Sequence, residues 1–156
     1  MYNNLIISRR LKKELPKIKE KYDVKDVSIS ESQFEKYKTS LTLNNNIVIK
    51  LSDEYPFRKP LLIINGKNYL DMLRTTSPYI NNEIKILKGV ECCLSCESVL
   101  CGNNWCVSYT LMKVLQEYED NKKLFIHVFN KRYVPNICYK NNIFCNELIQ
   151  NIQSYI

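Results

Sequence analysis

The chain has 156 residues, 45% of them apolar and 25% charged, and carries a formal net charge of +7 with a pI near 9.0. That length sets a single domain, residues 1–156, with enough chain to bury a core. No apolar run approaches the roughly 20 residues that span a bilayer, and the apolar patch before Arg9 and Arg10 is too short for a secretory signal.

These bounds lead us to expect an intracellular protein, cytoplasmic and with the nucleus also open, without a membrane partner. In a reducing compartment the seven cysteines read as free thiols, metal ligands or catalysts rather than as disulfides, and the odd count agrees. The positive balance permits contact with nucleic acid but mainly reports solubility and non-specific attraction.

In chain order, residues 5 to 22 are spaced for one helical face: Leu5, Ile6, Leu11, Leu15, Ile18 and Tyr22, with Ser8 as a cap. Pro16 is awkward inside that helix and is expected to kink or end it. The opposite face carries Arg9, Arg10, Lys12, Lys13, Lys17, Lys19 and Lys21 against only Glu14 and Glu20. It reads either as a solvated basic face or as a docking surface for an acidic partner.

Residues 24 to 70 read as sheet. Val27 and Ile29 alternate with polar neighbours, as do Leu41 and Leu43, and Asn44-Asn45-Asn46 is a turn before the strand Ile47 to Leu51. Asp53 to Pro60 holds Pro56 and Pro60, which exclude a central strand and mark a stiff crossing segment. Leu61 to Ile64 is a further strand, closed by Asn65-Gly66, a tight-hairpin signal. Ser77-Pro78, Asn81-Asn82 and Lys88-Gly89 then predict loop through residues 71 to 91.

The stretch Cys92 to Leu115 concentrates five of the seven cysteines together with the only tryptophan, Trp105. Beyond it, Leu111, Val114, Leu115 and Tyr118 recur at helical spacing, so the sequence predicts a helix over 108–130, with Phe125, Val128 and Phe129 extending its apolar stripe. Pro135 breaks the chain, and a last helix is expected from about residue 143 to 156 with Leu148, Ile149, Ile152 and Ile156 on one side. The expected class is α+β: a helix, an antiparallel meander, a cysteine-bearing loop and a central helix.

This order, and several residues within it, resembles the ubiquitin-conjugating enzymes. Arg10-Leu11-Lys12-Lys13-Glu14-Leu15 is similar to that family's first helix, and Tyr55-Pro56-Phe57-Arg58-Lys59-Pro60 resembles its Tyr-Pro-Phe-x-x-Pro crossing after the third strand. Trp105, Thr110, Lys113, Val114 and Leu115 resemble the tryptophan that precedes its central helix and the residues that follow at matching offsets. The resemblance covers residues 5 to about 118 and implies a UBC-like fold with a four-stranded meander, an active-site loop and a remodelled C-terminal tail.

The resemblance also implies a function. A cysteine shortly before the tryptophan would accept ubiquitin or a related modifier as a thioester and pass it to a lysine, a cytoplasmic transferase activity without a cofactor. A thiolate is a strong nucleophile, and the intermediate splits one hard condensation into two easier transfers. Cys96 stands first, because Cys96-Glu97-Ser98-Val99-Leu100 resembles the family's Cys-Leu-Asp-Ile-Leu and lies nine residues before Trp105. Cys93 follows, for its Cys93-Leu94 pair, and then Cys92, three residues after Gly89. Partners would be the modifier, an activating enzyme and a ligase, with Arg9, Arg10 and Lys13 of the first helix facing the enzymes.

The family's His-Pro-Asn is not intact. Its nearest counterpart is Ser77-Pro78-Tyr79-Ile80, several residues further from any cysteine than is usual. An absent oxyanion donor typically costs about 3 kcal/mol, roughly a hundredfold in rate. Asn81, Asn82 or the Tyr79 hydroxyl are the available substitutes. A non-catalytic member of the same fold, acting as a binding module, is the alternative that this departure favours.

The same cysteines admit a metal reading. Cys93, Cys96, Cys101 and Cys106 are spaced C-x2-C-x4-C-x4-C, which suits tetrahedral zinc and would supply folding energy directly. Zinc would occupy Cys93 and Cys96 and leave Cys92 as the acceptor. A zinc module binding nucleic acid is the weaker form of this reading, since few aromatics interleave with the basic residues of the first helix. Elsewhere the plainer readings hold: Trp105 packs the loop onto the sheet, His127 sits at the core edge, Cys138 and Cys145 are small buried hydrophobes, and Glu117, Glu119 and Asp120 form a solvated cluster.

Overall fold

The computed structural model describes residues 9–30, 32, 35–43 and 46–132. The expectations for Leu5, Ile6, Ser8, the first two residues of the Asn44–Asn46 turn, Pro135, Cys138, Cys145 and the helix at 143 to 156 lie outside those residues.

Helix α1, Arg9–Lys21, buries Leu11 and Ile18 on the face that the spacing predicted and runs unbroken through Pro16. Strands β1 (Val24–Ile29), β2 (Thr39–Leu43), β3 (Ile47–Leu51), β4 (Leu61–Ile64) and β5 (Lys67–Asn68) follow. They form one antiparallel sheet in sequence order, with a shift in register between Val24 and Asp26 of β1. The expected four-stranded meander is therefore extended by a short fifth strand.

Alternation decides which face is inside. Leu41 lies opposite Ile49 and Ile49 opposite Leu62; Leu43 lies opposite Ile47 and Ile47 opposite Ile64. All of these are buried on one face, each contributing about 2 kcal/mol by removal from water. Asn65 and Gly66 both take positive φ, 50° and 77°, as a two-residue hairpin of this twist requires.

Residues 71–88 depart from the expected loop, and residues 69–70 from the expected sheet. They form α2 (Tyr69–Thr75) and α3 (Pro78–Lys88). Four of the residues that suggested a loop, Ser77, Pro78, Lys88 and Gly89, are helix-boundary residues, while Asn81 and Asn82 lie inside α3. The Ser77 hydroxyl accepts from the Ile80 N–H at 3.3 Å, and Pro78 occupies the first turn, where its missing N–H costs nothing. Gly89 closes α3 at φ 67°. A single turn, α4 (Leu94–Glu97), then precedes α5, Leu111–Arg132. Helix α5 packs against α1 and α3, while α4 packs against α2 and α3. Val128 of α5 is buried, but His127 beside it is exposed, not at the core edge as expected.

One buried acid ties three of these segments together. Glu14 is 5% exposed, and its carboxylate accepts from the Leu111 N–H at 2.7 Å and from the Tyr55 hydroxyl at 3.0 Å. Arg10 pairs with the same carboxylate and also donates to the Ser108 and Tyr109 carbonyls at 3.2 and 3.3 Å. The acid thus neutralises Arg10 and satisfies an otherwise orphaned N–H at the start of α5. Desolvation and the nearby Glu14 charge push the Tyr55 hydroxyl pKa up.

Candidate functional site

The stretch before α5 is held from several sides. The Trp105 indole N–H donates to the Pro56 carbonyl at 2.8 Å, and its ring centroid lies 6.4 Å from Tyr55 and 6.0 Å from Tyr109. The indole therefore packs onto the proline-stiffened crossing segment, where the peptide before Pro56 is cis. Lys59 of that segment donates to the Leu100 carbonyl. Asn104 donates to the Cys96 and Ser98 carbonyls, the latter at 3.1 Å. From α5, the Glu117 carboxylate accepts from the Val99 N–H at 2.7 Å, a role the reading as a solvated cluster missed.

Helix α3 supplies the other wall. The Asn81 side-chain oxygen Oδ1 accepts from the Leu94 N–H at 3.3 Å, and Lys88 pairs with Glu97 at 3.3 Å. Of the three proposed oxyanion substitutes, Asn81 is thus in contact with the cysteine turn. Asn82 and Tyr79 are exposed on α3. Leu94 and Ser95 are buried at 1% and 8% exposure, which sinks the middle of the turn and leaves the flanking thiols outward.

Those thiols are Cys93, partly exposed, and Cys96, exposed. They share a hydrogen bond at 2.7 Å, and the Ser95 hydroxyl lies 3.3 Å from the Cys93 sulfur. With the proton on Cys96, the Cys93 thiolate accepts from Cys96 and Ser95. These bonds hold the Cys93 pKa down to about 7 and push that of Cys96 up. Cys92 and Cys106 are exposed and Cys101 is partly so. A hydrogen bond with Ser108 at 3.1 Å lowers the Cys106 pKa.

Comparison of the chain with protein-family models, with curated proteins and with solved structures finds no match in any of the three.

Among the described residues, no group of three or more His, Cys, Asp or Glu is gathered as a metal ion would need, so Cys93, Cys96, Cys101 and Cys106 are not brought into one zinc geometry. Nor is any helix of those residues long and apolar enough to cross a membrane. On α1, Arg9 and Lys13 are exposed, whereas Arg10 is occupied by Glu14 and two carbonyls. An apolar pocket of about 280 Å³ lies between α2, α3 and α5, lined by Tyr69, Met72, Ile80, Tyr118 and Phe125 among others. None of Cys92, Cys93, Cys96, Cys101 and Cys106 lines it.

Spacing alone did not single out Glu14, Ser95 or Asn104. The only sign of Asn104 was its place in the Gly102-Asn103-Asn104 turn before Trp105. Glu14 carried a fainter sign, being an acid in a basic helix at a position in register with Leu11 and Ile18.

Proposed function

We propose that the chain is a divergent ubiquitin-conjugating-type acyl transferase of UBC-like fold, carrying ubiquitin or a related modifier as a thioester on the Cys93–Cys96 pair. The observation that carries this reading is the dithiol turn with its thiols outward: Asn104 holds the Cys96 carbonyl, while Pro56 and Lys59 of the crossing segment hold Trp105 and Leu100 next along the chain. Helix α1 before a meander, and a crossing segment stiffened by Pro56 and Pro60, support it further.

In this mechanism the thiolate attacks the modifier's thioester carbonyl on an activating enzyme, a new C–S bond forms, and the activating enzyme's sulfur leaves as thiolate. A lysine amine then attacks the new thioester, an amide forms, and the cysteine sulfur leaves. The family resemblance favours Cys96 as acceptor, whereas the ionisation favours Cys93, which is half thiolate near pH 7. Asn81, already bonded to the turn, carries the amide N–H donors that an oxyanion needs. The exposed Arg9 and Lys13 offer the cationic face for the activating enzyme and ligase.

Helices α2 and α3 fill the lengthened stretch between β4 and the cysteines, which favours a second reading: a binding module on the same fold without transferase activity. Incubation with activating enzyme, modifier and ATP, resolved on a non-reducing gel, separates the two. A reducible adduct lost in Cys93→Ser or Cys96→Ser is the expected result. No adduct with all cysteines intact would remove the transferase reading, and zinc in the purified protein would count against free thiols at this turn.

A further inference from the structure

The Cys93 and Cys96 sulfurs lie 2.7 Å apart with Leu94 and Ser95 between them in the chain. The backbone fixes that approach. The Cys96 and Glu97 N–H groups both donate to the Cys93 carbonyl, at 2.9 and 3.1 Å. The buried Leu94 anchors the turn from within, and Asn104 holds the Cys96 carbonyl from outside. A disulfide bond is about 2.0 Å long, so the sulfurs need to close by roughly 0.7 Å. Both are open to a small reagent, Cys93 partly exposed and Cys96 exposed.

We infer that Cys93 and Cys96 form a redox-active dithiol that exchanges with low-molecular-weight disulfides of the glutathione type and closes to an intramolecular disulfide. In the first step the Cys93 thiolate attacks one sulfur of the small disulfide; a mixed disulfide forms and one small thiolate leaves. In the second step Cys96 loses its proton to that departing thiolate or to water and attacks the Cys93 sulfur. The Cys93–Cys96 bond forms and the second small thiolate leaves. The two cysteines are oxidised by two electrons, and the small disulfide is reduced to two thiols.

The other cysteines provide the contrast. Cys106 is exposed and hydrogen-bonded to Ser108 rather than to a second sulfur, so it stops at a mixed disulfide. Cys93 is the entry point because it is the thiolate: the fold stabilises its charged form, an advantage present above the unfolded thiol's pKa and lost as pH falls through about 7. Its greater thiolate fraction is partly offset by lower intrinsic nucleophilicity, leaving a net advantage at neutral pH of roughly fivefold to tenfold. If the thioester reading also holds, oxidation would remove both candidate acceptors. The dithiol itself needs no modifier and no activating enzyme.

The test uses the reduced full chain, glutathione disulfide as the probe, an acid quench, alkylation and peptide mass spectrometry. The expected product is a Cys93–Cys96 bond two hydrogens lighter, with little glutathione retained there. Cys96→Ser should trap glutathione on Cys93 at least tenfold over the parent, and Cys93→Ser should slow modification at this turn by roughly fivefold to tenfold. The first step should quicken as pH rises through about 7 and then level off. Cys101→Ser and Cys106→Ser should leave the bond unchanged, and circular dichroism confirms that each variant folds. Bonds spread evenly among the cysteines, or a Cys96→Ser protein that traps no more glutathione than the parent, would overturn the inference. Because no conjugation reagent is present, failure here is distinct from failure of the thioester assay.

Discussion

Glu14 is the residue on which α1, the crossing segment and α5 meet. A lone buried carboxylate would be costly, but this one receives a backbone N–H, a tyrosine hydroxyl and a guanidinium. Removing it strands the Leu111 N–H and the Tyr55 hydroxyl and leaves Arg10 with only the Ser108 and Tyr109 carbonyls. Glu14→Ala should lower unfolding free energy by about 3 kcal/mol, read by urea denaturation, because Arg10 and Tyr55 lose their partner within a part-buried network. Glu14→Gln keeps an acceptor for Leu111 and should cost roughly half as much. A loss below about 1 kcal/mol in Glu14→Ala would mean that the network carries little of the fold's stability. A different case is Tyr22, whose buried hydroxyl has no hydrogen-bond partner among the described residues. Burial pushes its pKa up to about 12, so it stays neutral in the fold at pH values where the unfolded chain begins to ionise. Its contribution therefore favours the fold at lower pH and fades as pH rises beyond the ordinary tyrosine value.

At the scale of elements, α3 decides how the cysteine turn is presented. It begins at the Ser77 cap, ends at Gly89 in the left-handed region, and reaches the turn through Asn81 and Lys88. Ser77→Ala should cost about 1 kcal/mol in thermal or urea unfolding and raise hydrogen exchange along residues 79–82. Unchanged stability and exchange would mean that tertiary packing, not the cap, fixes the start of the helix. The sequence concealed this helix for a physical reason. Serine, proline and asparagine favour turns and helix starts alike, and Ile84 is its one fully buried apolar residue, with Ile86 and Leu87 left exposed. The sheet was legible because Leu41, Leu43, Ile47, Ile49 and Leu51 alternate cleanly, and because Asn65-Gly66 has few uses other than a tight hairpin. The cysteines and Trp105 were visible as a cluster. Which two sulfurs meet was not, since spacing says nothing of Leu94 and Ser95 turning inward.

At the scale of the molecule, the strand order leaves β1 and β5 at the two ends of the sheet among the described residues. The β5 end is two residues long and passes directly into α2, so little ladder remains there. The β1 end is longer and differently defended. Lys25, Asp26 and Ser28 are exposed along it, and the register shift between Val24 and Asp26 interrupts its pairing. Replacing both charges, Lys25→Val with Asp26→Val, should leave the monomer folded yet raise light scattering on concentration several-fold. An equally clear solution would show that something other than those charges guards this border. The irregularity at the start of β1 is thus better understood as a safeguard than as a flaw: it spoils the template on which a neighbouring molecule would otherwise add its own strand.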